Sequence, residues 1–135
     1  MLTPVLVLII WTLIIWVWMY VTKIPAMQKA KIDPEVALHT GGLTMLPSSV
    51  RVVTDNYNHL HEQPTVFYAL AFYTHLVGAG DAANIWLAWG FVAIRIAHSL
   101  AQIVVRKVMV RFPLFVLAAI VLIILAGRNL MALVT

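Results

Sequence analysis

Polar and ionisable side chains recur at helical spacing in the segment that begins just before "NYNHLHEQPTVFY", residues 56–68. Counted from Arg51, the residues Asp55, Asn58, His59 and Glu62 fall at i+4, i+7, i+8 and i+11, which is one helix face. A second set with the same i to i+11 spacing lies further along the chain: Arg95, His98, Ser99, Gln102 and Arg106. Two such stripes indicate a water-accessible cleft for a polar, anionic ligand.

The rest of the chain is strongly apolar. Of its 135 residues, 63% are hydrophobic and 10% are charged, whereas about a quarter of a soluble domain is charged. Four long apolar stretches predict an all-α integral membrane protein, a four-transmembrane-helix bundle in a lipid bilayer, with residues 1–135 forming one domain. Cysteine is absent, which excludes disulfides and thiolate chemistry by the chain itself.

The predicted helices cover about residues 4–22, 49–77, 82–107 and 112–133. Pro64 should kink the second helix just beyond Glu62, and "GAGD" (78–81) predicts a tight turn in which Asp81 caps the third. The net charge of +4 does not indicate nucleic acid, because the basic residues lie at helix ends. Seven of them flank the 1–2 and 3–4 loops, against Arg128 alone on the other side, so both loops are expected in the cytoplasm. The seven are Lys23, Lys29, Lys31, Arg51, Arg106, Lys107 and Arg111.

Glu62 and Arg95 are predicted to lie at the same depth in the membrane. Each is eleven residues from an arginine expected at the cytoplasmic surface, which is roughly 16 Å into a core about 30 Å thick. An unpaired charge there is costly, so we expect the two side chains to form an ion pair between facing helices. From the pair alone, a structural clamp and a functional site are about equally favoured.

The motifs "NYNHLHEQPTVFYAL" (56–70), "WGFVAIRIAHSL" (89–100) and "RFPLFVLA" (111–118) resemble the MAPEG superfamily, membrane-associated proteins in eicosanoid and glutathione metabolism, and in particular a bacterial subgroup. The resemblance covers nearly the whole chain. It implies a homotrimer in the bacterial inner membrane, with glutathione as co-substrate bound between subunits in the cytoplasmic half. It also implies transfer of glutathione to lipophilic small molecules, or reduction of lipid peroxides.

The resemblance also assigns residues. Glu62 matches a glutathione-contacting glutamate, Arg95 and His98 match an arginine and a histidine of helix 3, and Arg111 matches the arginine that holds the thiolate, the catalytic candidate. Asn58 stands for a helix-2 asparagine, although His59 occupies the matching spacing. With Arg51, these form the expected glutathione site, and no metal ligand is assigned. The family's serine, tyrosine and helix-3 tyrosine are replaced by Phe112, Phe115 and Gln102, and phenylalanine cannot donate to a thiolate.

Two other functions stay open at this stage. A non-enzymatic lipid- or ligand-binding protein of the same fold is favoured by the two phenylalanines. A haem or quinone protein would use His59 and His98 on facing helices, and a Soret band would reveal it.

Overall fold

The computed structural model describes residues 1–35 and 43–135; the centre of the predicted polar 1–2 loop, 36–42, lies outside the described residues. Every regular element within these ranges is helical. The helices are α1 (Leu2–Lys29), α2 (Ser48–His59), α3 (Gln63–Leu76), α4 (Ala82–Leu100) and α5 (Val108–Val134), and a π-helical turn, Ala101–Val105, continues α4.

The single helix predicted over 49–77 is wrong, because the chain breaks between His59 and Gln63. Pro64 is the second residue of α3 and has no N–H to donate to the carbonyl of Leu60, so one hydrogen bond of the ladder is lost at this point. The freed groups find local partners instead. Thr65 Oγ1 donates to the His61 carbonyl at 2.7 Å, and the Thr65 amide donates to the Glu62 carbonyl at 3.1 Å. The proline therefore separates two helices rather than kinking one.

Three other predicted boundaries also differ. α1 continues through Pro25 to Lys29, because a proline removes one hydrogen bond and apolar surroundings favour keeping the others within the helix. α4 gives way to the π-helical turn, which ends at Arg106 with φ of 59°. α5 begins at Val108 rather than at 112, which places Pro113 inside the helix.

The bundle is held together by close packing of small and aromatic side chains. α4 packs against α1 and α5, α1 packs against α2 and α3, and α3 packs against α5. Phe67 of α3 and Phe91 of α4 stack with ring centroids 4.6 Å apart. Ala88 and Ala118 are fully buried, so the backbones of α4 and α5 approach closely. Such fit drives helix association in lipid, where the hydrophobic effect no longer separates buried from lipid-facing surface.

The predicted turn at 78–81 is confirmed in its chemistry. Gly78 has φ of 71°, and the amides of Gly78 and Ala79 donate to the carbonyls of His75 and Thr74, which forms a Schellman motif. Asp81 caps α4 by accepting from the Asn84 amide at 2.8 Å.

Among the residues that the structure describes, three helices are long and apolar enough to cross a bilayer: α1, α4 with its π-helical turn, and α5. α2 and α3 have 12 and 14 residues, so each is too short to span the hydrocarbon core by itself. The end of the bundle at which α1 ends and α5 begins carries the seven basic residues named above, and we call it the basic end.

Candidate functional site

The two polar stripes face each other in part, since His59 of the first meets His98 of the second. The line of contacts that we call the polar seam consists of Asn56, His59, Gln63, Arg95, His98 and Gln102. Nδ2 of Asn56 donates to Oε1 of Gln102 at 3.0 Å, and both side chains are buried, at 0% and 3% exposed. The rings of His59 and His98 lie edge to face with their centroids 6.0 Å apart. The seam therefore joins α2 and α3 to α4 and its π-helical turn by polar contacts inside an apolar bundle.

Arg95 is the most deeply buried charged group of the seam, at 0% exposed. Its Nη2 donates to the main-chain carbonyl of His59 at 3.1 Å, and its Nη1 donates to Oε1 of Gln63 at 3.5 Å. His59 is the last residue of α2, whose final carbonyls have no partner within the helix. A cation at this end also meets the negative end of the helix dipole. Arg95 thus stabilises the break between α2 and α3.

The predicted ion pair between Glu62 and Arg95 is wrong. Glu62 is 57% exposed, and its Oε2 accepts a hydrogen bond from Nδ1 of His59 at 3.2 Å. The break is the physical reason. The helical period that placed Glu62 in the stripe ends at His59, and Glu62 becomes the residue before α3 with φ of −96° and ψ of −100°. Main-chain and amide oxygens then take the place of the carboxylate beside Arg95.

Several buried polar atoms near Arg95 remain without a hydrogen-bond partner among the described residues: Arg95 Nε, His98 Nδ1 and Ser99 Oγ. Buried polar groups are normally paired, and unpaired ones mark strain or a site that a ligand or water completes. The part of the seam around Arg95 and His98 therefore has unused hydrogen-bonding capacity next to a guanidinium.

A cavity of about 210 Å³ lies at the basic end, between the start of α2, the π-helical turn and the start of α5. Its lining residues are Ser48, Val52, Asp55, Gln102, Arg106, Val108 and Arg111. Gln102 belongs to both the cavity and the polar seam, and His59 follows Asp55 by one helical turn. The two guanidinium groups, Arg106 and Arg111, make this cavity suited to an anionic ligand.

The left-handed conformation of Arg106 belongs to the same feature. Its φ of 59° ends the π-helical turn, and its Nε donates back to the Ile103 carbonyl at 3.0 Å. A non-glycine residue with this φ is uncommon, and π-helical turns occur often at functional sites. The chain reverses here into α5 with Arg106 on the cavity wall.

The sequence-predicted site residues fall into two groups. Arg95 and His98 are buried in the seam, His59 lies in it at 32% exposed, and Arg111 lines the cavity. Arg51, Asn58 and Glu62 are exposed on the outer side of α2 and of the break. The structure thus places four of the seven in the seam or the cavity within one chain and leaves the other three exposed, although Glu62 contacts His59.

Asn56 and Gln63 are seam residues that the stripe analysis missed. Val53, Asn56 and Leu60 form a buried stripe at i, i+3 and i+7, and Asn56 is its middle member. A polar residue at a core position of an apolar stripe was the available signal. No comparable signal pointed to Gln63, because its place depends on the helix break.

The α5 side of the site offers few hydrogen-bonding side chains. Phe112 is exposed, and the Phe115 ring lies 6.3 Å from that of His98 between centroids. Within the described ranges no three His, Asp or Glu side chains are grouped so that they could hold a metal ion.

These features define a class: a helical protein with membrane-spanning segments and a polar, guanidinium-lined site enclosed between its helices. The chain belongs to the MAPEG family, whose family model matches residues 1–131 of the 135. The apolar helices and the family together identify it as an integral membrane protein. Neither curated proteins nor solved structures give a match to the chain.

Proposed function

We propose that this protein is a glutathione-dependent transferase or peroxidase that acts on lipophilic electrophiles drawn from the bilayer. The observation that supports it most is the cavity at the basic end. Arg106 and Arg111 line this cavity, and it shares Gln102 with the polar seam. Glutathione carries two carboxylates, and guanidinium groups bind carboxylates through paired hydrogen bonds. MAPEG membership suggests a glutathione-related function for such a cavity.

Arg111 is the group that we assign to the thiolate. It lines the cavity at the start of α5, where its fixed positive charge would favour the thiolate over the thiol. Arg95 and His98, at the inner end of the seam, would meet the part of glutathione that reaches furthest into the bundle. The exposed apolar side chains of α5, such as Phe112, would deliver the lipophilic substrate from the lipid side.

A homotrimer would account for the outward-facing members of the predicted site. Arg51, Asn58 and Glu62 are exposed in the single chain although they lie on or next to helices of a membrane protein. Arg51 lies at the basic end, but Asn58 and Glu62 lie further into the bundle, and polar or charged groups in contact with lipid are costly, so a neighbouring copy is the natural cover for them. In a cyclic trimer each copy presents this surface to the next, and the three residues would complete the glutathione site from α2.

We also propose that the basic end faces the cytoplasm of a bacterial inner membrane. The cluster of lysines and arginines at that end supports this orientation, since positive residues are retained on the cytoplasmic side. Glutathione would then reach the cavity from the cytoplasm, and the electrophile would reach it from the bilayer.

The experiment compares Arg111→Ala with Lys107→Ala in the purified full chain. Both variants remove one exposed or partly exposed cation from the basic end, but only Arg111 lines the cavity. Glutathione binding is measured by isothermal titration, and turnover with chlorodinitrobenzene and cumene hydroperoxide. We expect at least about tenfold loss of turnover for Arg111→Ala, since a lost charged contact is worth about 1.5–3 kcal/mol, and little change for Lys107→Ala. Absence of glutathione binding by the wild-type protein would refute the proposal.

A second function rests on Phe112 and Phe115, which provide no hydrogen-bond donor beside the thiolate position. It is a non-enzymatic lipid- or ligand-binding protein of the same fold. This function predicts that lipid copurifies with the protein and that neither the electrophile nor the hydroperoxide is turned over.

A further inference from the structure

A carboxylate–histidine pair stands at the break between α2 and α3, beside the polar seam. Nδ1 of His59 lies 3.2 Å from Oε2 of Glu62. An ionised carboxylate can only accept a hydrogen bond, so the imidazole nitrogen that faces it must carry the proton. In the neutral imidazole, Nε2 is then the nitrogen with a free lone pair. The pair thus holds His59 in the tautomer that a proton acceptor requires.

Glutathione chemistry needs such an acceptor, because the thiolate rather than the thiol is the nucleophile. Arg111 can stabilise a thiolate but cannot take up its proton, and Phe112 and Phe115 can do neither. Asp55 lines the cavity, but a carboxylate is a much weaker base than an imidazole. His98 is buried at 2% exposed. His59 is partly accessible and is held by a carboxylate, as activated nucleophile–base systems require.

We propose that His59 is the general base that removes the thiol proton, and that Glu62 is a positioning residue that orients it. This inference rests on the proposed function and adds a proton acceptor to it. In the step, the S–H bond of glutathione breaks and its proton forms an N–H bond at Nε2 of His59. The electron pair stays on sulfur, which bonds to the electrophilic carbon while the leaving group departs with its own pair. The imidazolium, stabilised by the Glu62 carboxylate, then releases its proton to solvent.

The charged and titratable groups around His59 are few. Glu62 faces it across the break, and Arg95 of α4 binds its main-chain carbonyl. His98 of α4 lies against its ring, and Arg111 of α5 is near enough to act on His98 electrostatically. The two arginines carry fixed positive charges throughout the pH range of the experiment.

The test compares His59→Gln with His61→Gln in the full-length protein. The control histidine lies two residues away and contacts the Tyr57 carbonyl through Nδ1 at 2.9 Å, away from Glu62. The readout is kcat/KM for glutathione and chlorodinitrobenzene from pH 6 to 9 (the range over which histidine and thiol both titrate). We expect His59→Gln to lower kcat/KM at least about 100-fold near pH 6.5, the effect of a general base.

The pH dependence separates a base from a structural residue. Without a base the thiolate comes from solvent ionisation, so the rate of His59→Gln should rise about tenfold per pH unit up to the pKa of the bound thiol, which the proposed role of Arg111 places below the ordinary value of about 8.5. Its deficit then narrows as the pH rises, whereas a misplaced site would show the same deficit at every pH. Glu62→Gln should give a smaller loss, because the imidazole loses the carboxylate that orients it. His61→Gln should follow the wild type.

The outcomes distinguish a failure of the proposed base from a failure of the proposed function. A His59→Gln profile parallel to the wild type overturns the base and leaves the proposed function standing, provided the wild type turns over. A wild type that neither binds glutathione nor turns over removes both. If His59→Gln does not fold, His59→Asn, which also lacks a basic nitrogen, replaces it in the same comparison.

Discussion

The hydrogen bond between Asn56 and Gln102 offers a quantitative test of the polar seam. Nδ2 of Asn56 lies 3.0 Å from Oε1 of Gln102, close to the usual length of an N–H···O bond. Neither side chain is accessible enough for solvent to replace a lost partner. Asn56→Leu and Gln102→Met remove one amide each at nearly constant volume. Each single change leaves the other amide buried without its partner, which costs about 1–3 kcal/mol of unfolding free energy.

The double variant should be destabilised by less than the sum of the singles, since no amide is then left unpaired. Coupling energies in membrane bundles average about 0.6 kcal/mol and reach about 1.7, so we expect a coupling of about 1 kcal/mol. Unfolding of the purified protein in mixed micelles of mild detergent and dodecyl sulfate measures all four free energies.

A control cycle pairs Gln102→Met with Asn129→Leu. Asn129 is also buried, but it donates to Thr74 Oγ1 at 2.9 Å near the other end of the bundle. The free-energy changes of substitutions at distant sites add to within about 0.3–0.5 kcal/mol, so this cycle should show no coupling beyond that range. A coupling of zero in the Asn56–Gln102 cycle would refute the proposed packing of α2 against the π-helical turn.

Three further predictions concern the fold, each measured by the same unfolding assay. Gly78→Ala should destabilise by about 1–2 kcal/mol, because Gly78 has φ of 71°, while Gly127→Ala in the open face of α5 should be neutral or stabilising. Arg128→Gln should cost about 1 kcal/mol, since Arg128 bonds Asn84 Oδ1 and Asp81 Oδ2 at 2.6 Å each, and should leave glutathione binding unchanged. Ala88→Leu should lower the unfolding free energy by about 1–3 kcal/mol through overpacking. Ala83→Leu, on the exposed side of α4, should change the unfolding free energy by no more than about 0.5 kcal/mol. Equal effects in either matched pair would contradict the packing described here.

The sequence was informative wherever one local rule decided the structure. Gly78 and Asp81 marked a turn and a cap because positive φ and a free helix amide each select particular residue types. The long apolar stretches marked membrane-spanning helices because lipid requires internally paired backbone. The facing of His59 with His98 followed in outline from two polar stripes of equal length, whereas the contact of Asn56 with Gln102 did not, because Asn56 lies outside the first stripe.

The pairing of individual charges could not be obtained in this way. The prediction that Glu62 pairs with Arg95 assumed one uninterrupted period from Arg51 onward, but an α-helix turns about 100° per residue, so a break of three residues changes the direction of everything beyond it. Glu62 was therefore assigned to the wrong partner, and Gln63 was overlooked.

The amino-acid sequence by itself determined that this protein lies in a lipid bilayer and which types of group are available to its site. Only the tertiary structure decided which of those groups meet. Arg95 binds the carbonyl at the end of α2, and His59 binds Glu62, because the break leaves main-chain oxygens in the interior and turns the carboxylate outward. Composition and periodicity describe one segment at a time, whereas a hydrogen bond between residues 59 and 95 depends on how two segments pack.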